Sequence, residues 1–177
     1  MLKTVLKWSL LGAGALVGLL ALLYVVGRMI PGEHTTVRVA EFSAPQDSVL
    51  HTLADWENTP KWLKEVTTVR RLPDHDGHLT YEESGPEGAC VLELLDTLPH
   101  GHVVTRFTVE GFMEGTWTFD ITPTSPKSCT VKLSDRTTAH SAFFKLVGRV
   151  MGGSELEDYL RELGKRHGLT VRPRADH

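Results

Sequence analysis

The side chains best suited to chemistry are nine histidines, two cysteines and a few polar groups set among apolar strand residues. His75 and His78 flank one turn, and His100 and His102 flank another. In an antiparallel meander these two turns fall at the same end of the sheet, where neutral imidazoles offer ligands for zinc or copper. Nothing in the spacing fixes a coordination geometry, so solvated turn residues are the simpler account and no metal ligand is assigned. Glu83, Thr105 and Asp135 lie on strand-like stretches and have the chance to face an interior. A carboxyl withdrawn from water keeps its proton to higher pH and then serves as a general acid or base. A carboxyl at the rim does not, and the rim is the commoner place.

Other catalytic signatures are missing. No G-x-S-x-G elbow supports a serine nucleophile, and no G-x-G-x-x-G or P-loop follows a strand. Cys90 and Cys129 do not form a zinc-type cluster. Two buried thiols are the simpler expectation for them, with a disulfide as the alternative in an oxidising compartment. No catalytic residue and no cofactor is assigned.

The elements that must position these groups follow from periodicity. His34 to Phe42 reads as a strand. Ser43 and Gln46 have capping-box spacing, Pro45 suits a first turn, and Val49, Leu50, Leu53 and Ala54 recur at helical intervals. A second short helix begins at Asn58-Thr59-Pro60 and carries Trp62, Leu63 and Val66. From Thr67 to Ala139 the pattern is strands and turns, including alternation through Val103, Thr105 and Phe107, through Trp117, Phe119 and Ile121, and through Cys129, Val131 and Leu133. Ser141 to Arg166 is amphipathic at helical spacing, interrupted by Gly148, Gly152 and Gly153, which permit close approach to a sheet or a kink. Residues from Leu169 read as a frayed tail. A one-faced sheet needs a cover, and the last helix is the only element after the strands long enough to supply it.

Residues 8–27 hold no charged side chain, about the length a helix needs to cross a bilayer. The sequence after them lacks a small-x-small cleavage site, which favours an uncleaved anchor over a signal peptide. Lys3 and Lys7 precede the run and Arg28 follows it, so the positive-inside rule places the N-terminus in the cytoplasm and the domain on the periplasmic or cell-surface side. Beyond the anchor 16 basic residues face 22 acidic ones, a net charge of −6 with histidine neutral. That balance argues against nucleic acid as a partner. The expected organisation is an anchor over 1–30, a linker over 31–34 spanning at most about 14 Å, one domain over 35–168 and a flexible tail over 169–177.

The stretch Ala54-Asp55-Trp56-Glu57-Asn58-Thr59-Pro60-Lys61-Trp62, followed by Val66 and Val69, resembles the segment after the first helix of SRPBCC proteins, the START-like superfamily that includes polyketide cyclases and dehydrases. Gly115-Thr116-Trp117-Thr118-Phe119 resembles their late strand, and the terminal helix with Phe143, Phe144 and Gly148 to Gly153 is similar to theirs. Leu50 departs from the tryptophan that many relatives carry, which implies a wider pocket. The resemblance implies an α+β helix-grip fold, in which a curved antiparallel sheet of seven strands wraps a long C-terminal helix around a cavity. It implies binding of a hydrophobic small molecule or lipid, with a cyclase-like enzyme or a cavity-free tethered interaction module as alternatives. On alternation, Leu92, Leu94, Val103, Thr105, Phe107, Trp117, Phe119, Val131 and Leu133 would supply the sheet side of the ligand site. Phe143, Phe144, Val147, Val150 and Met151 would supply its helix wall. Trp56, Trp62 and Trp117 fit the core better than a ligand contact.

Overall fold

A computed structural model describes residues 2–86, 88–98 and 101–175; within them the side chains of 2–7, 9–11, 98, 150–152 and 170–173 are not described. Helix α1 (Leu2–Met29) leads into strand β1 (Glu33–Phe42) and helix α2 (Gln46–Ala54). A 3₁₀ turn (Trp56–Lys61) follows, then β2 (Thr68–Arg71), β3 (Leu79–Gly85), β4 (Gly88–Leu98), β5 (His102–Val109), β6 (Met113–Ser125) and β7 (Ser128–Ala139). Helix α3 (Ala142–His167) and strand β8 (Leu169–Ala175) complete the chain. The strands make one sheet in the order β2-β3-β4-β5-β6-β7-β1-β8, and every described pairing is antiparallel.

Alternation places the apolar face of this sheet as expected. Val103, Phe107, Phe119, Ile121, Val131 and Leu133 are all buried. They pack with Ala40 and Phe42 of β1, Val49 and Leu53 of α2, and Leu156, Leu160 and Leu163 of α3 in two adjoining clusters. Ser141 caps α3 by accepting from the Phe144 amide at 3.2 Å, and Gly168 closes it at φ 73°. Helical structure is continuous through its glycines. A side chain at Gly148 would meet the His34 ring at 2.9 Å, and Gly153 lies over the Arg38 guanidinium. These glycines make room for polar side chains of β1; Gly152 lies outside the described side chains.

Three expectations change. The terminal segment is not a loose tail: Leu169–Ala175 pairs with β1 and makes an eighth strand, while Asp176 and His177 lie outside the described residues. The capping box does not form, because α2 starts at Gln46, whose side-chain amide instead donates to the Ile121 carbonyl at 2.7 Å. That bond crosses the tight backbone at Gly101 (φ 86°), where a Cβ would lie 2.4 Å from the same carbonyl oxygen. Leu50 packs against the core and does not line the void between the sheet and α3.

Helix α1 stands apart from the core. Leu16, Val17, Leu20, Leu22, Tyr24 and Val25 are exposed on its several sides, and Gly12–Met29 is long and apolar enough to cross a membrane. Its end touches the domain: a Cβ at Gly27 would overlap the Ala142 backbone at the start of α3.

Candidate functional site

The room between the sheet and α3 is almost filled. Among the described residues a void of about 20 Å³ lies there, lined by Leu53 of α2, Trp56 and Thr59 of the 3₁₀ segment, Trp62 and Leu63 just after it, Glu83, Leu92, Thr105, Trp117 and Phe119 of the sheet, and Tyr159 of α3. Such a space holds about one water molecule. Aromatic rings close it. Tyr159 meets Trp62, Trp117 and Phe119 with ring centres 5.4, 5.5 and 5.7 Å apart. Trp56 packs edge-on against Tyr81 at 5.3 Å and gives its indole N–H to the Leu53 carbonyl.

Two polar groups at this void are out of place in an apolar core. Glu83 turns inward because β3 presents its neighbour Glu82 outward to Arg70, 3.0 Å away. Burial alone raises the Glu83 carboxyl to about 7. The same charge adds to burial in lifting the Cys90 thiol to about 11, and it raises the Tyr159 hydroxyl further. The second group is the Trp62 indole N–H, which is buried without a hydrogen-bond partner. Each such group costs stability unless something supplies the missing bond. Thr105, also at the wall, is buried.

Farther along the inner face, Asp135 is buried beside Trp117 and accepts from the Thr137 hydroxyl at 2.6 Å. Burial raises its carboxyl, while bonds from Thr137 and Trp117 and the charge of His34 pull it back. Asp135 is therefore bonded within the fold, whereas burial of the Glu83 carboxyl meets no counteracting bond or charge. A lone carboxyl poised near neutrality can accept or release a proton at pH 7.

Of the expected sheet residues, Leu92, Thr105, Trp117 and Phe119 reach the void, whereas Val103, Phe107, Val131 and Leu133 belong to the packed core and Leu94 packs against it. The helix wall differs from expectation. Phe143 is exposed, Phe144 stacks on Phe112 at 5.0 Å, and Val147 does not line the void. Tyr159, just over two turns before the end of α3, takes that place; the Val150 and Met151 side chains lie outside the described residues. Trp56 and Trp62 line the void as well as the core. Tyr159 was signalled only by its place among Leu156, Leu160 and Leu163.

Among the described residues the histidines do not gather. His75 and His78 bridge their own hairpin, His75 lies 3.4 Å from Glu93, and His102 lies 2.6 Å from Asp120. His100 lies outside the described residues. Among those described, no group of three or more histidine, cysteine or acidic side chains is placed to hold a metal ion. Cys90 on β4 and Cys129 on β7 are free thiols. Three strand spacings of about 4.8 Å separate them, too far for a disulfide.

The profile of the family described as polyketide cyclase / dehydrase and lipid transport matches residues 33–167, most of the chain. The chain belongs to that family. Its fold is that of the START-like members. A START superfamily protein from Mycobacterium smegmatis superposes with a TM-score of 0.60 at 17% identity, over 76% of this chain and 97% of that one. An aromatase/cyclase from a Streptomyces species gives 0.59 at 15% identity, over 75% and 93%. A conserved protein from Geobacillus kaustophilus gives 0.63 at 16% identity, over 75% and 94%. No curated protein sequence matches the chain. In this family member the helix-grip interior is closed by rings, and eight strands rather than seven surround it.

Proposed function

We propose that the protein binds an apolar small molecule or lipid bearing one polar group, in the interior between the sheet and α3, while α1 tethers it to a membrane. The observation that carries this is one void that holds the Trp62 indole N–H, buried without a partner, beside the Glu83 carboxyl, raised to about 7 by burial. A core selected for stability alone would replace them, because apolar groups of the same shape are no worse and often better. A ligand carbonyl or hydroxyl would accept from Trp62 and pair with protonated Glu83. The apolar remainder would be held by area removed from water, at about 25 cal/mol per Å². A void of about 20 Å³ requires the 3₁₀ segment and α3 to part on entry. The apolar run of α1, with basic Lys3 and Lys7 in the turns that precede it, supports a single crossing with the domain outside the cytoplasm.

The test uses a medium-chain methyl ketone as probe and thermal unfolding of the detergent-solubilised full chain as readout. The ketone is expected to raise the melting temperature, and the alkane of equal length to raise it less. Trp62→Phe is expected to weaken ketone binding by about tenfold, the loss of one buried hydrogen bond. A ketone and an alkane that both leave the melting temperature unchanged would sink the proposal.

The size of the void itself favours a second reading, a filled domain that acts as a tethered interaction module. On that reading no apolar probe binds, and the unpartnered Trp62 N–H and the buried Glu83 carboxyl are simply tolerated.

A further inference from the structure

The end of α1, the start of α3 and the turn between β5 and β6 meet at one corner of the domain. Gly27 lies against Ala142, and the His140 amide donates to the Phe112 carbonyl at 2.9 Å. Three phenylalanines cluster there: Phe144 lies 5.0 Å from Phe112 and 5.4 Å from Phe143. Phe143 is 67% exposed and Phe112 48% exposed. Apart from α1 and Leu79, these are the large hydrophobic side chains most exposed among the described residues.

The surroundings of the cluster are basic, although the domain as a whole is acidic. Arg28 ends α1, Lys145 lies beside Gly32, and Arg149 follows one turn later. Helix α3 carries no acidic residue before Glu155. Glu110 and Glu114 flank the turn, with Glu114 3.8 Å from His140.

We propose that Phe112, Phe143 and Phe144 form a docking surface for the bilayer that holds α1, with Arg28, Lys145 and Arg149 against anionic headgroups. The inference rests on reading α1 as a membrane span. Gly27 is in the last turn of that helix, so a residue packed on it lies at the level where hydrocarbon meets headgroup. Exposed rings at that depth bury their apolar faces, and basic side chains beside them meet lipid phosphate. The cluster is continuous with the surface α1 offers to lipid, which favours the bilayer over a second copy of the chain. Docking there fixes the tilt of the domain and holds the start of α3, the helix that must move for the interior to open, at the lipid surface.

The test reconstitutes the full chain in nanodiscs of phosphatidylcholine and phosphatidylglycerol and compares tryptophan emission with and without lipids brominated along the acyl chain. Emission of the parent, with its four native tryptophans, is subtracted. Phe143→Trp is the probe, Leu20→Trp reports the span, and Thr124→Trp sits at the opposite end of the sheet. The Leu20 and Phe143 probes are expected to lose about half their emission to bromines lying 5–10 Å below the headgroups, and the Thr124 probe to lose none. Quenching at 20 with none at 143 overturns the docking surface and leaves the span standing. No quenching at 20 removes the span and the docking surface with it. A Phe143 probe shielded from bromine while the chain cross-links as a dimer assigns the surface to a second copy and also overturns the proposal.

Discussion

The Glu83→Gln protein is expected to be more stable than the parent at pH 8 and equal to it at pH 4. The Glu83 carboxyl titrates near 7 in the folded chain and near 4.5 when exposed. Between those values the folded state holds a proton that the unfolded chain has released. Its stabilising contribution is complete below pH 4.5 and is lost as pH rises through about 7, a total of roughly 3 kcal/mol. Glutamine stays neutral throughout, so the pH dependence from this position disappears. Urea unfolding of the parent and the variant at half-unit steps from pH 4 to 8 measures it. Parallel curves for the two proteins would show that Glu83 is solvated and ionised rather than withdrawn from water. Against a typical domain stability of about 5–15 kcal/mol, this is a large amount for one side chain to withhold at neutral pH.

The second large effect is expected at Trp117. Its ring lies 5.4 Å from Phe107 and 5.5 Å from Tyr159, at the wall of the void. Trp117→Ala is expected to cost about 3–5 kcal/mol, as deletion of a large core aromatic does. It also removes a hydrogen bond from buried Asp135. The vacated volume, on the order of 150 Å³, adds to the void and makes room for a ring compound. Indole added to the variant should restore several degrees of melting temperature and leave the parent unchanged. A variant that melts within a degree of the parent, without indole, would show that Trp117 does not support the interior.

Much of the fold was legible because alternation and helical spacing depend on local chain geometry. Strands β3 to β7 and α3 fall where the apolar periods put them. Strand β8 was not legible, since Pro173 speaks against a strand. An edge strand tolerates it, and β8 lies at the sheet edge with register shifts against β1. Gln46 misled because a long-range bond to Ile121 outcompeted a local cap.

The site was less legible than the fold. Glu82, Glu83 and Ser84 are consecutive polar residues, and only the pairing with β2 shows that Glu83 faces inward. The wall of the void depends on where α3 crosses the sheet, which spacing within the helix does not encode. Phe143 and Phe144 belong to the same run of apolar spacings near three and four as Leu156 and Leu160, yet the first pair clusters with Phe112 and the second lies in the core. The volume left over depends on how five aromatic rings interlock, a matter of rotamers rather than of residue types.

Native mass spectrometry of the full chain released from mild detergent, followed by organic extraction, asks the central question directly. The account predicts one apolar molecule with a single carbonyl, hydroxyl or carboxyl per chain, reduced in amount when Trp62→Phe and Glu83→Gln are combined. Bare protein in every preparation, with no extractable species beyond bulk membrane lipid, would contradict it.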